Sequence, residues 1–290
     1  MNGNGVVVVL SGGGGRAMAH LGALEVLERA NVPITRIVGV SAGAVAGAMF
    51  GRYGSAREAQ TRLAEVLSGP EGGPICDRIA RFRSDRNGFR GKIHRWVGYW
   101  RLLRRTGIVP SRHLMRAMEG LIGAATFEDL RYPLTVVTTD LAHGRELVSG
   151  SGPLVPVLAG TCALPGVFEP VEVNGHLLVD SGDLNPLPVN VALRYRPAFT
   201  IASDVSRGKL PPQMELNGIE ALARARDAGA LVLRSVHQRL ADFVIRPRVL
   251  RREWADFTDP EQAYQAGRAA ASRKLDRLLA GLQWKEIVPC

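Results

Sequence analysis

Cysteine is scarce. Cys76, Cys162 and Cys290 are the only three in 290 residues. An odd count without metal-ligand spacing offers no disulfide framework and fits a reducing compartment. Long apolar runs are absent as well: no stretch approaches the ~18 uninterrupted apolar residues of a membrane-spanning helix. Residues 38–51 are uncharged, but the run is short and rich in Gly and Ala, so it is expected to be a buried core helix. The first five residues lack a basic region, so no signal peptide is expected. No EF-hand loop or zinc pattern is present, which predicts chemistry without metal or cofactor. Acidic residues are the minority, 27 against 37 Lys and Arg, a net charge of +10. That balance fits a solvated basic surface, nucleic acid or an anionic membrane. No RRM, KH or helix-turn-helix pattern supports nucleic acid, which is therefore not expected. There is no internal repeat and no low-complexity linker. The chain reads as one cytoplasmic domain, 1–290, with an insertion at 68–107.

What is present begins with Val6-Val7-Val8-Val9-Leu10, an apolar and mostly β-branched run expected as a central strand of a mostly parallel sheet. Ser11-Gly12-Gly13-Gly14-Gly15-Arg16 follows at once, and Met18, Leu21 and Leu24 then recur at helical spacing. Strand, glycine loop and helix together present backbone N–H groups to an anion. A dinucleotide pyrophosphate is one such anion, since Gly12, Gly14 and Ala17 satisfy G-x-G-x-x-[GA]. That use also needs an acidic residue at the end of the second strand. The second apolar run, 34–38, leads instead into Gly39-Val40-Ser41-Ala42-Gly43. A Walker Lys-Ser/Thr is missing too. The other anion is the oxyanion of an acyl-transfer intermediate, and Gly-x-Ser-x-Gly between a strand and a helix is the nucleophile-elbow pattern. Its glycines, Gly39 and Gly43, give the sharp turn room.

Further along, 55–67 and 111–121 read as helices, the second capped by Ser111, and 134–139 as a strand paired with 145–148. Residues 154–164 read as a helix. Val171-Glu172-Val173 and His176-Leu177-Leu178-Val179 flank Asn174-Gly175, a strong hairpin signal. The second of these strands runs into Asp180-Ser181-Gly182. Strands at 199–202 and 243–245 and long helices at 219–240 and 260–282 complete the chain.

The glycine loop through Leu24, the elbow, the block from Thr161 to Val171 and the Asp180 block resemble, in that order, the patatin-like phospholipase family. The resemblance covers about residues 6–192. It implies a sheet sandwiched between helices and lipid acyl hydrolysis by a serine–aspartate dyad without histidine. Ser41 would be the nucleophile and Asp180 the base. Gly12, Gly13, Gly14, Gly15 and Arg16 would form the oxyanion hole, and Ser181 and Gly182 complete the aspartate motif. Three departures stand out: Ala17 where glycine is usual, Gly160-Thr161 for Ala-Ser, and Ser181 for glycine. If that last turn needs a positive φ, Ser181 carries strain. The block around Thr161 is expected to shape the pocket wall.

Rival bases are Asp140, Asp183 and Asp204. A serine–histidine arrangement would have to use His237, which reads as a surface residue of a helix. His20 reads as packing, and His94, His113, His143 and His176 show no partners at a recognisable spacing. Within the insertion, arginines alternate with aromatic and aliphatic residues. Arg95, Trp96, Trp100, Arg101 and Arg104 are the expected contacts with an anionic membrane surface, at the inner face, and the segment is a candidate lid. A membrane-associated binding or scaffold protein on the same fold is the alternative function.

Overall fold

Val6–Leu10 forms strand β1, and its side chains divide between two cores. Val6, Val8 and Leu10 belong to one hydrophobic cluster, Val7 and Val9 to another. The two-residue period of a strand therefore explains the unbroken apolar run: both faces of the sheet are covered. This computed structural model describes residues 5–69, 105–206, 208–210, 212–249 and 256–287. Arg95, Trp96, Trp100, Arg101, Arg104 and most of the 68–107 insertion lie outside the described residues.

The strands in chain order are β1, β2 (Ile34–Val40), β3 (Leu134–Asp140), β4 (Arg145–Ser149), β5 (Val171–Val173), β6 (His176–Asp180), β7 (Phe199–Ser203) and β8 (Phe243–Ile245). Parallel pairing joins β3 to β2, β2 to β1, β1 to β7 and β7 to β8. Antiparallel pairing adds β4 and β6 to β3, and β5 to β6. The sheet is thus mixed, with the expected parallel centre. Asn174 and Gly175, at φ 50 and 81, make the expected β5–β6 hairpin turn.

One face of the sheet is covered by α1 (Met18–Arg29), α2 (Ala42–Tyr53), α3 (Ala56–Ser68), α4 (Arg112–Ile122), α5 (Leu154–Thr161), α8 (Pro260–Ser272) and α9 (Leu275–Trp284). The other is covered by the short α6 (Val189–Leu193), against which α7 (Gly218–Leu240) packs. Two details differ from the sequence reading. The helix expected over 260–282 is two helices, broken at Arg273 and Lys274. Ser111 precedes α4 in helical conformation, without a side-chain cap.

α7 meets the rest of the protein through polar side chains and leaves several apolar ones exposed. Arg226 reaches Asp183 at 3.0 Å, Arg234 reaches Asp204 at 2.7 Å, and His237 donates to the Leu187 carbonyl at 3.0 Å. Leu222, Val232, Val236 and Leu240 face outward. Directed polar contacts therefore help to hold this helix in place.

Candidate active site

Strand register brings Ser41 and Asp180 together. Val40, the last residue of β2, pairs with Val137 of β3; Asp180, the last residue of β6, pairs with the next residue, Thr138. β4 occupies the opposite edge of β3 along residues 136–140. β2 and β6 therefore share one edge of β3 and meet end to end. Neither strand can continue past that point, so the chain must leave the sheet there.

Ser41 makes this exit at φ 54, ψ −135. An L-residue in this region carries strain of about 1–3 kcal/mol, so its surroundings must hold it there. Gly43 lies against the end of β1, where a Cβ would sit 2.4 Å from the Ser11 carbonyl oxygen and 2.6 Å from that of Leu10. Ala44 and Val45 N–H groups donate to the Ser41 carbonyl and start α2. The Ser41 N–H donates to Thr161 Oγ1 at 2.8 Å, and that hydroxyl donates to the Val137 carbonyl at 2.7 Å. Thr161 is fully buried. Within the block expected beside the serine, it is a brace for the elbow backbone.

This brace carries a prediction. Thr161→Val should leave the Ser41 N–H without its acceptor and cost about 1–3 kcal/mol. Thr161→Ser, which keeps the hydroxyl, should remain close to the parent. Denaturant melts of the two variants check this; equal stabilities would remove the role.

The Ser41 side chain lies beside the Asp180 carboxylate, near enough to influence its charge, and Asp180 Oδ1 accepts the Gly182 N–H at 2.7 Å. The Asp180 N–H is fixed to the Ala163 carbonyl at 3.0 Å. Burial pushes the Asp180 carboxyl up to about 6, against the pull of the nearby Ser41 hydroxyl and the Gly182 N–H. Neighbouring Asp183 adds to the rise and Arg226 opposes it. A carboxyl near 6 is ionised at neutral pH yet basic enough to accept a hydroxyl proton as attack proceeds.

The glycine loop faces this pair. A Cβ on Gly12 would lie 3.5 Å from that of Ser41. The Gly12 N–H, however, donates to the Pro186 carbonyl at 3.2 Å. Arg16 turns back on the loop, its Nε donating to the Gly13 carbonyl at 3.1 Å and its backbone N–H to the same oxygen at 3.3 Å. Arg16 therefore steadies the loop, and Gly12, placed with the oxyanion hole from the sequence, spends its amide on Pro186. Among the described residues, no backbone carbonyl takes the N–H of Gly13, Gly14 or Gly15. Gly14 sits at φ 57, and Ala17 at φ −64 is ordinary helical backbone, so alanine fits there.

His20 does more than pack. Fully buried, it is held down to about 4 by desolvation and is neutral. Its Nε2 donates to the Ser11 carbonyl at 2.9 Å, which leaves Nδ1 to accept the Ser203 hydroxyl at 2.8 Å. It ties the start of the glycine loop to β7.

Ser181 does not take a positive φ; it is buried and accepts the Thr139 hydroxyl at 3.0 Å, so the anticipated strain is absent. The rival carboxylates are engaged elsewhere: Asp183 with Arg226, Asp204 with Arg234, and Asp140 with His143 and His176. Sequence reasoning missed Arg226 and gave His143 and His176 no partners; only the tertiary fold joins them.

Fold and site define the class: an α/β protein with a serine raised on a sharp strand-to-helix turn, beside a buried carboxylate and facing a glycine loop. Within that class, the chain belongs to the patatin-like phospholipase family, whose family model matches residues 8–193. It is 30% identical over 223 residues to an NTE family protein of Mycobacterium tuberculosis, covering 77% of this chain and 52% of that one. It is 28% identical to the neuropathy target esterase sws of Drosophila melanogaster, over 71% of this chain and 13% of the relative. Mouse patatin-like phospholipase domain-containing protein 6 is 29% identical, with 71% and 14% covered. The chain spans about half the length of the mycobacterial relatives it matches. Among solved structures, VipD from Legionella pneumophila is similar at TM-score 0.46 and 15% identity, covering 95% of this chain and 67% of that one.

Proposed function

We propose that the protein is a serine acyl hydrolase that cleaves fatty-acyl esters of phospholipids or other glycerolipids. The observation that carries this reading is the strand register that brings Ser41, raised on its elbow, beside the buried Asp180. Asp180 takes the Ser41 proton as Oγ attacks the ester carbonyl. The amides of Gly13, Gly14 and Gly15 hold the oxyanion, and Asp180 returns the proton to the departing alcohol. Water, deprotonated by the same carboxylate, then releases the fatty acid from Ser41. Each half-reaction needs only one base, since Asp180 regains its charge at each departure. The family assignment supports a lipid as the acyl donor.

The test is acyl release from a short-chain p-nitrophenyl ester and from mixed phospholipid vesicles, together with labelling by a fluorophosphonate. The parent is expected to turn over and to label once. Ser41→Ala should do neither, and His237→Ala should do both. A folded parent that neither labels nor turns over would overturn the enzyme reading and leave a lipid-binding protein on this fold.

Among the described residues, no helix is long and apolar enough to cross a membrane. On our reading the protein is cytoplasmic and works peripherally at the inner membrane face, through Arg95, Trp96, Trp100, Arg101 and Arg104. The proposal for these five residues rests on the sequence, in which cations stand beside tryptophans. Replacing all five by alanine should reduce co-sedimentation with anionic vesicles; undiminished binding would remove this role.

A further inference from the structure

A second cluster of chemically capable side chains lies at the opposite end of β6 from Asp180. Its centre is Asp140, the last residue of β3, which is fully buried. Asp140 Oδ1 accepts backbone N–H groups from Ala142 at 3.1 Å and Leu177 at 3.3 Å. Its Oδ2 accepts two imidazoles at once: Nδ1 of His143 at 2.6 Å and Nδ1 of His176 at 2.7 Å. His143 stands in the turn between β3 and β4, and His176 opens β6. The ligand-capable atoms of the three residues all lie within 4.8 Å of one another. The rings are tilted by 60°, with centroids 5.4 Å apart, so they converge on the carboxylate instead of stacking.

This geometry is more than a pair of hydrogen bonds. The backbone amides on Oδ1 fix the carboxylate plane and aim Oδ2 at both rings, as the outer contacts of a metal ligand do. A single cation could replace the two imidazole protons that now converge on Oδ2. A tetrahedral zinc ion sits about 2.0–2.1 Å from nitrogen and oxygen ligands, which then stand ~3.3 Å apart. The two Nδ1–Oδ2 distances would open by about 0.6 Å to accept it. His143 can make this movement, because its side chain is 52% exposed on a turn. The same exposure leaves the fourth position to water. Arg145 is the opposing feature, its Nε 3.8 Å from Oδ2, but its side chain is 58% exposed and can turn outward. Two imidazoles and one carboxylate favour a zinc-class ion over calcium or magnesium, which want oxygen.

We propose that Asp140, His143 and His176 form a binding site for a divalent zinc-class cation, separate from the Ser41–Asp180 pair. The ion would fasten the start of β6 to the end of β3, and so pin the strand whose other end carries Asp180.

The experiment uses the full chain without an affinity tag, stripped with chelator, and titrated with Zn²⁺ and with Co²⁺. One equivalent of Zn²⁺ should bind and raise the thermal midpoint. Co²⁺ should give the visible ligand-field bands of a four-coordinate site with nitrogen and oxygen ligands. His143→Gln and His176→Gln should each weaken binding by about tenfold or more. The His143 variant changes a half-exposed turn residue, and circular dichroism will verify that it is folded. Absence of saturable Zn²⁺ binding to the parent would overturn the proposal. So would unchanged affinity in both variants, which would put the ion elsewhere.

Discussion

Asp180→Asn should lower ester hydrolysis by about 10²–10⁴-fold, the usual worth of a general base, and should raise the thermal midpoint at neutral pH. The second half follows from the sign of the pKa shift. Burial lifts the Asp180 carboxyl from 3.8 to about 6 in the folded protein. Between those values the unfolded chain has lost a proton that the folded chain still holds. Stability therefore falls as pH rises through this window, and above it the full cost of a buried charge remains. A shift of about two units corresponds to at most ~3 kcal/mol. Asparagine carries no charge and escapes that cost. The parent's kcat/KM should rise with pH through an apparent pKa near 6, the value of Asp180 in the free protein. Melts and initial rates across pH check all three. Retained activity would place the base elsewhere, and a lowered midpoint would contradict the account of burial.

Gly43→Ala is the other substitution expected to be severe. Its methyl group would lie 2.4 Å and 2.6 Å from two backbone carbonyl oxygens at the end of β1. Neither is the tip of a flexible side chain, so the strand end or the start of α2 must move. Overpacking of this kind costs about 1–3 kcal/mol, and more where backbone is involved. The displaced surfaces are the elbow and the glycine loop, so the spacing between Ser41 and the oxyanion donors changes too. A misplacement of about 1 Å can cost ~10²-fold in rate. We expect kcat to fall more than KM rises, with urea midpoints reporting the stability loss. A variant as stable and active as the parent would contradict this tight packing.

Parts of the molecule whose logic is local were legible from residues alone. β1 announced itself as an unbroken apolar run because the sheet is covered on both faces there. The hairpin was written in Asn174-Gly175, where positive φ is tolerated. The elbow was legible because Gly39 and Gly43 bracket Ser41. Other features depend on residues far apart in the chain. Thr161 braces Ser41 across 120 positions, and His176 meets Asp140 across 36. No spacing rule reports such pairs. The break at Arg273 and Lys274 carries neither proline nor glycine, so a helical pattern ran through it. The inward polar face of α7 was invisible for a related reason: periodicity gives a stripe, not which side the protein lies on. The loop's amides could be counted in advance, but Gly12 and Pro186 had to be seen together before that donor was removed.

The shared edge of β3 also has a kinetic meaning. Ser41 and Asp180 are distant in the chain and become neighbours only after β2 and β6 have both docked on a strand that lies between them in sequence. Such long-range pairings form slowly compared with local helices. On the proposed mechanism, a chain still being synthesised can complete the elbow well before it owns a base, and would remain silent toward esters until β6 arrives. The recovery of esterase activity during refolding would thus time the closure of this topology, not the appearance of secondary structure.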